Sequence, residues 1–137
     1  MKKFKNIPFI FFGFIILFAG VLGGLSRLGI NLIAERQLGA LHGPLMVSGF
    51  LGIVISLERA VALGKFWGYL SPFFGILGGI GLISGICNLQ TASILFSVSG
   101  AFLSVIFFDF LRKHRDENLI FMTVGSLFLL AGNISMY

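Results

Sequence analysis

The sequence predicts an all-α integral membrane bundle of five crossings, and three observations carry that reading. Charge is confined to short segments that leave four uncharged runs. These hold 21 residues between Lys5 and Arg27, 21 between Arg36 and Glu58, 43 from Phe66 to Phe108, and 20 from Asn118 onward. A hydrocarbon core about 30 Å thick takes roughly 20 apolar helical residues, so three runs cross once and the longest crosses twice. Hydrophobic residues make up 57% of the chain and charged ones 11%; a soluble domain carries about 25% charged residues. Lipid offers backbone groups no partner, so each crossing must satisfy its own. The apolar runs are continuous, without the alternation of a barrel strand, and this selects helices.

The whole chain, 1–137, forms a single transmembrane domain. Lys2, Lys3 and Lys5 precede the first crossing, about 7–26. Its uncharged run is longer than the apolar segment of a secretory signal and meets no Ala-x-Ala site, so it reads as an uncleaved helix. The second crossing, about 41–58, opens with Leu41-His-Gly-Pro-Leu-Met46. The third, about 71–87, opens on Ser71-Pro72, read as an N-cap followed by proline at the first helical position. Trp67 and Tyr69 sit just before it, at the depth where amphipathic rings favour an interface. Asn88-Leu-Gln-Thr91 is a polar turn that divides the long run and leads into the fourth crossing, about 92–110. A polar loop, 112–118, precedes the fifth, about 119–137.

Charge placement orients these crossings. Lys2, Lys3, Lys5, Arg59, Lys65, Arg112, Lys113 and Arg115 fall on one side, and Arg27 and Arg36 on the other. Eight cations against two put the N-terminus in the cytoplasm and the C-terminus outside. The expected location is a bacterial or archaeal cytoplasmic membrane. No soluble segment is large enough for a basic face with stacking aromatics, which excludes nucleic-acid binding. Small residues recur four apart, at Gly20 and Gly24, Gly75 and Gly79, Gly81 and Gly85, and through Ser48, Gly52 and Ser56. Such spacing brings helices close where lipid removes the hydrophobic drive between them.

Few residues point to chemistry. His42 opens the second crossing, and at 100° per residue Met46, Gly49, Ile53 and Ser56 fall within roughly 40° of its direction. Imidazole ligates haem iron and copper, so this stripe offers a nitrogen donor above small residues, with Met46 as a second copper ligand. A solvated histidine at a helix end is the alternative. Glu58 and Arg59 close the same helix about 24 Å away; they read as interfacial anchors, as a structural ion pair or as a proton entry. Arg27 caps the first helix or pairs with an anionic group. Glu35 and Arg36 read as a solvated pair, Asp109 as the counter-charge of Arg112 and Lys113, and Asn133 as a polar clasp between helices. Cys87 is the single cysteine, which rules out an internal disulfide; it reads as a small apolar residue.

The segment Gly20-Val-Leu-Gly-Gly-Leu-Ser-Arg-Leu-Gly29, followed by Leu41-His-Gly-Pro-Leu-Met-Val-Ser-Gly-Phe50, resembles the first two helices of the haem–copper oxidase catalytic subunit. It is similar, more loosely, to the nitric-oxide-response haem–copper membrane proteins. The resemblance covers about 40 residues. It implies His42 as an axial haem ligand near the external face, Arg27 beside the propionates, and Gly49 and Ser56 leaving room on the stripe. The family has about twelve crossings and several further histidines. Here the other histidine is His114, in the basic loop on the opposite side, so a self-contained oxidase is excluded by ligand count. The expected function is a small membrane subunit that binds haem through His42. A cofactor-free structural or assembly subunit and a small transporter module are the alternatives. In either subunit reading the chain works as a homo-oligomer or within a larger membrane complex.

Overall fold

In the computed structural model, residues 6–30, 37–114 and 116–136 are described. Five helices long and apolar enough to cross a membrane follow one another: Ile7–Arg27, Leu38–Leu63, Phe66–Ile83, Leu89–Lys113 and Glu117–Ser135. No strand occurs among the described residues. Lys2, Lys3, Lys5, the Glu35 and Arg36 pair and Arg115 lie outside them.

Helix α1 (Ile7–Arg27) has proline in its first turn, where a missing N–H costs nothing, and the chain leaves it through Gly29 at φ +82°. The second crossing is built in three parts. Helix α2 (Gln37–Pro44) runs into a π-helical segment (Leu45–Leu51), which continues as α3 (Gly52–Leu63). Proline cannot donate to the helical ladder and crowds the carbonyl four residues earlier. The widened turn begins directly after Pro44, where such a defect is most easily absorbed. Gly64, at φ +69°, ends α3 with its N–H on the Ala60 carbonyl, 3.1 Å away. The second crossing is therefore several residues longer at both ends than the charge pattern predicts.

A 3-10 turn (Phe66–Tyr69) leads directly into α4 (Leu70–Ile83). This corrects the expected start: the N-cap is Tyr69, and Ser71 is fully buried two residues further in, within the first turn. The Ser71 hydroxyl instead donates to the Ser99 carbonyl at 2.8 Å, and the Ser99 hydroxyl donates back to the Ser71 carbonyl at 2.8 Å. A buried hydroxyl must find an acceptor, and the facing helix supplied one. Helix α4 ends at Ile83, short of the expected 87, with Gly85 at φ +71° turning the chain. Asn88 caps α5 (Leu89–Lys113), its Oδ1 accepting from the Thr91 N–H at 2.8 Å. Asp116 caps α6 (Glu117–Ser135) through the Asn118 N–H.

Consecutive crossings run antiparallel, as the pairing of small residues against facing side chains shows. Along α1, Gly13, Gly20 and Gly23 meet Ile53, Met46 and Leu38 in reverse order. Along α4, Gly75 and Gly78 meet Ser99 and Phe96, and Gly100 of α5 meets Leu130 of α6. The core joins Ile16, Leu45, Ile53, Leu82, Ala92 and Phe96. One end of the bundle, the lower end below, gathers Asn6, Arg59, Tyr69 and Lys113; the upper end gathers Arg27, Leu38, Asn88 and Ser135. At the lower end the Tyr69 hydroxyl donates to Asn6 Oδ1 at 3.2 Å, tying the 3-10 turn to the start of α1. Most of the surface between the ends is apolar: Phe11, Phe14 and Phe18 on α1 and Phe121 and Phe128 on α6 are all exposed.

Candidate functional site

His42 lies in α2, two residues before Pro44, and its ring rests against the glycine-rich face of α1. Nδ1 is 2.7 Å from the Gly20 carbonyl oxygen. A carbonyl can only accept, so Nδ1 carries the proton, and in the neutral ring the lone pair is then on Nε2. Nε2 has no hydrogen-bond partner among the described residues. The ring occupies the space that Gly24 leaves open: a methyl group there would lie 3.0 Å from Cε1 and 3.1 Å from Nδ1. One turn up, the Leu38 carbonyl presses on Gly23 so closely that a Cβ would overlap it. The α1 glycines thus admit the backbone and the imidazole of the second crossing.

The stripe below His42 faces α1 as its spacing predicts, yet it is filled. Met46 occupies the gap at Gly20, where a Cβ would lie 2.7 Å from its sulfur. Ile16 occupies the gap at Gly49, also 2.7 Å from a Cβ there, and reaches Gly79 of α4 as well. Ser56 is fully buried, its hydroxyl turned back onto the Ile53 carbonyl at 3.1 Å. A haem needs an open slot beneath its axial ligand. Here the small residues are matched by the protein's own side chains, so the stripe does not fit a haem within one chain.

The other expected site residues are spread over the bundle. Arg27 is exposed at the end of α1, its stem against Gly39, about one turn above His42. His114 lies at the lower end, after the last turn of α5, opposite His42. Among the described residues no three histidine, cysteine, aspartate or glutamate side chains come together as metal ligands would. Cys87 is half-buried, its sulfur over Gly81.

At the lower end Glu58 and Arg59 pair with each other, Nη2 to Oε1 at 2.7 Å. Glu58 is mostly solvent-exposed, and Arg59 is drawn inward until its guanidinium lies 5.6 Å from the Phe107 ring centroid on α5. Its Nε is buried without a hydrogen-bond partner among the described residues. A buried donor left unpaired costs about 1–3 kcal/mol, so this nitrogen marks an unfinished polar site. Lys113 and Asp109 pair at 2.7 Å, one turn apart, as the spacing predicts.

Asn133 is the clasp that its position suggests, and its partners come from two helices. Its Oδ1 accepts from the Ser48 hydroxyl of the π segment at 2.5 Å, and its Nδ2 donates to the Phe96 carbonyl of α5 at 3.1 Å. Three crossings are tied at one buried point. Neither Gly20 as the partner of His42 nor Ser48 as the partner of Asn133 has a sequence signal, because both contacts span more than 20 residues. The deep placement of Arg59 has a faint one: two charges end an otherwise uncharged run.

Residues 6–137 match a family model described as "Domain of unknown function (DUF8744)". No curated protein and no solved structure matches the chain.

Proposed function

The chain belongs to the DUF8744 family, and we propose that it is an integral membrane packing subunit that carries no cofactor within its own bundle. Its N-terminus lies in the cytoplasm, following the charge bias, and it works as a homo-oligomer or inside a larger membrane complex. The observation that carries this reading is the His42–Gly20 bond at 2.7 Å, set in a glycine face filled by Met46, Ile16 and the imidazole. These residues are spent on joining helices. The exposed phenylalanines of α1 and α6 suit lipid or a neighbouring subunit equally well. Purified in mild detergent, the protein should be colourless, free of stoichiometric copper, and larger than a monomer by native mass spectrometry. A Soret band that disappears in His42→Ala would overturn the reading.

One observation favours a second reading. With Nδ1–H committed to a backbone carbonyl, a neutral His42 carries its lone pair on Nε2, as many metal-ligating histidines do, with its orienting hydrogen bond already made. An axial-ligand role for His42, with Arg27 nearby for an anionic group, then requires that a partner subunit supply the rest of the pocket. Haem bound only by the assembled complex, and lost in His42→Ala, would select this reading.

A further inference from the structure

Between the second crossing and helices α5 and α6 runs a groove of about 370 Å³, and its lining divides by depth. Val47, Leu51 and Ile55 form one wall, with Leu103 and Phe107 of α5 and Leu129 of α6 opposite; Glu58 and Arg59 sit at the lower mouth. Next to Val47 at its upper end, the Ser48 hydroxyl meets Asn133. From Val47 to Arg59 the helix rises about 18 Å, close to the depth of one leaflet of a core about 30 Å thick.

The geometry points to a bound anionic phospholipid, with an acyl chain in this groove and the phosphate at Arg59. Arg59 lies against the Phe107 ring, with a buried Nε that no group among the described residues satisfies. Its one polar partner among the described residues is the Glu58 carboxylate, which is mostly exposed. A phosphate has the charge and the acceptor geometry that a guanidinium fork matches. By sequence, the segments that flank the crossings at the lower end carry Lys2, Lys3, Lys5, Arg59, Lys65, Arg112, Lys113 and Arg115 against Glu58, Asp109, Asp116 and Glu117, an excess of four cations that favours an anion over a zwitterionic headgroup. Glu58 opposes binding, and it sets the affinity by competing for the same guanidinium.

Native mass spectrometry of the full chain, titrated with phosphatidylglycerol and with phosphatidylcholine, tests the site. Phosphatidylglycerol should bind at least tenfold more tightly, and Arg59→Gln should remove that preference. Gly125→Leu should also abolish retention without touching a charge, because a Cβ at Gly125 meets no atom of the described residues and a leucine there would fill the groove. Glu58→Gln should strengthen binding severalfold, a gain that a purely structural role for the pair does not produce. Glycerol phosphate, the headgroup without tails, should not bind. Equal retention of the two lipids would overturn the proposal, as would unchanged binding in both Arg59→Gln and Gly125→Leu. Tight binding of glycerol phosphate would show a phosphate site without a lipid and overturn it equally.

Discussion

His42 and Gly20 meet across two helices, imidazole Nδ1 to backbone carbonyl oxygen at 2.7 Å, although 22 residues separate them in sequence. The Gly20 carbonyl already serves the α1 ladder, so it accepts a second bond here, and the histidine is held in one tautomer and one orientation. A helix face bare of side chains is what lets a ring reach the backbone.

That bond separates two roles of His42 by experiment. His42→Ala removes the donor and empties the space over Gly24, so it should destabilise the bundle by about 1–3 kcal/mol. His42→Asn keeps an N–H near the Nδ1 position and removes the Nε2 lone pair; it should recover part of that loss. Thermal unfolding in detergent reads the difference. Asn no better than Ala would show that ring volume matters and the hydrogen bond does not.

The glycine face predicts an unequal response to the same small substitution. Gly23→Ala would push a methyl group into the Leu38 carbonyl, which belongs to the backbone and cannot swing away. It should cost about 1–3 kcal/mol as α1 and α2 separate. Gly132→Ala on α6 meets no atom of the described residues and replaces a poor helix former, so it should be neutral or stabilising by up to about 1 kcal/mol. Equal melting temperatures for the two variants would contradict the close approach at Gly23.

Asn133 should couple measurably to Ser48. Ser48→Ala leaves the Asn133 carbonyl oxygen without its donor, and Asn133→Leu leaves the Ser48 hydroxyl without its acceptor. Intramembrane hydrogen bonds of this kind contribute about 0.6 kcal/mol on average and up to about 1.7. A double-mutant cycle on unfolding free energies should return a coupling in that range. Strict additivity would mean that the clasp has no energetic role.

Much of the fold is legible in the sequence because lipid imposes a simple rule. Charges cannot be buried cheaply along a crossing, so the gaps between Lys5, Arg27, Arg36, Glu58 and Asp109 outline the helices. Helix ends are less legible, since capping depends on local contacts: Ser71 has the residue type of a cap but is taken by Ser99 on the facing helix. The π segment after Pro44 had no periodic signature in so short a run. The site is the hardest part to read. Spacing places Met46, Gly49 and Ile53 on the His42 face, but only the packed bundle reveals that Met46 fills the gap at Gly20 and Ile16 the gap at Gly49.

The topology itself yields the most direct prediction. Single cysteines at Lys3, Gln37, Lys65, Gln90 and Lys113, in a background with Cys87 replaced, should label alternately from the two sides of the membrane. The helices place positions 65 and 113 at one end of the bundle and positions 37 and 90 at the other. On the orientation proposed from the eight-to-two cation bias, with the Lys65 end cytoplasmic, Lys3, Lys65 and Lys113 should react only after the cell is permeabilised. Gln37 and Gln90 should react in intact cells. Two consecutive positions labelling from the same side would break the five-crossing reading. An alternating pattern with the sides exchanged would preserve the bundle and reverse its orientation, and it would move the Arg59 groove to the outer leaflet.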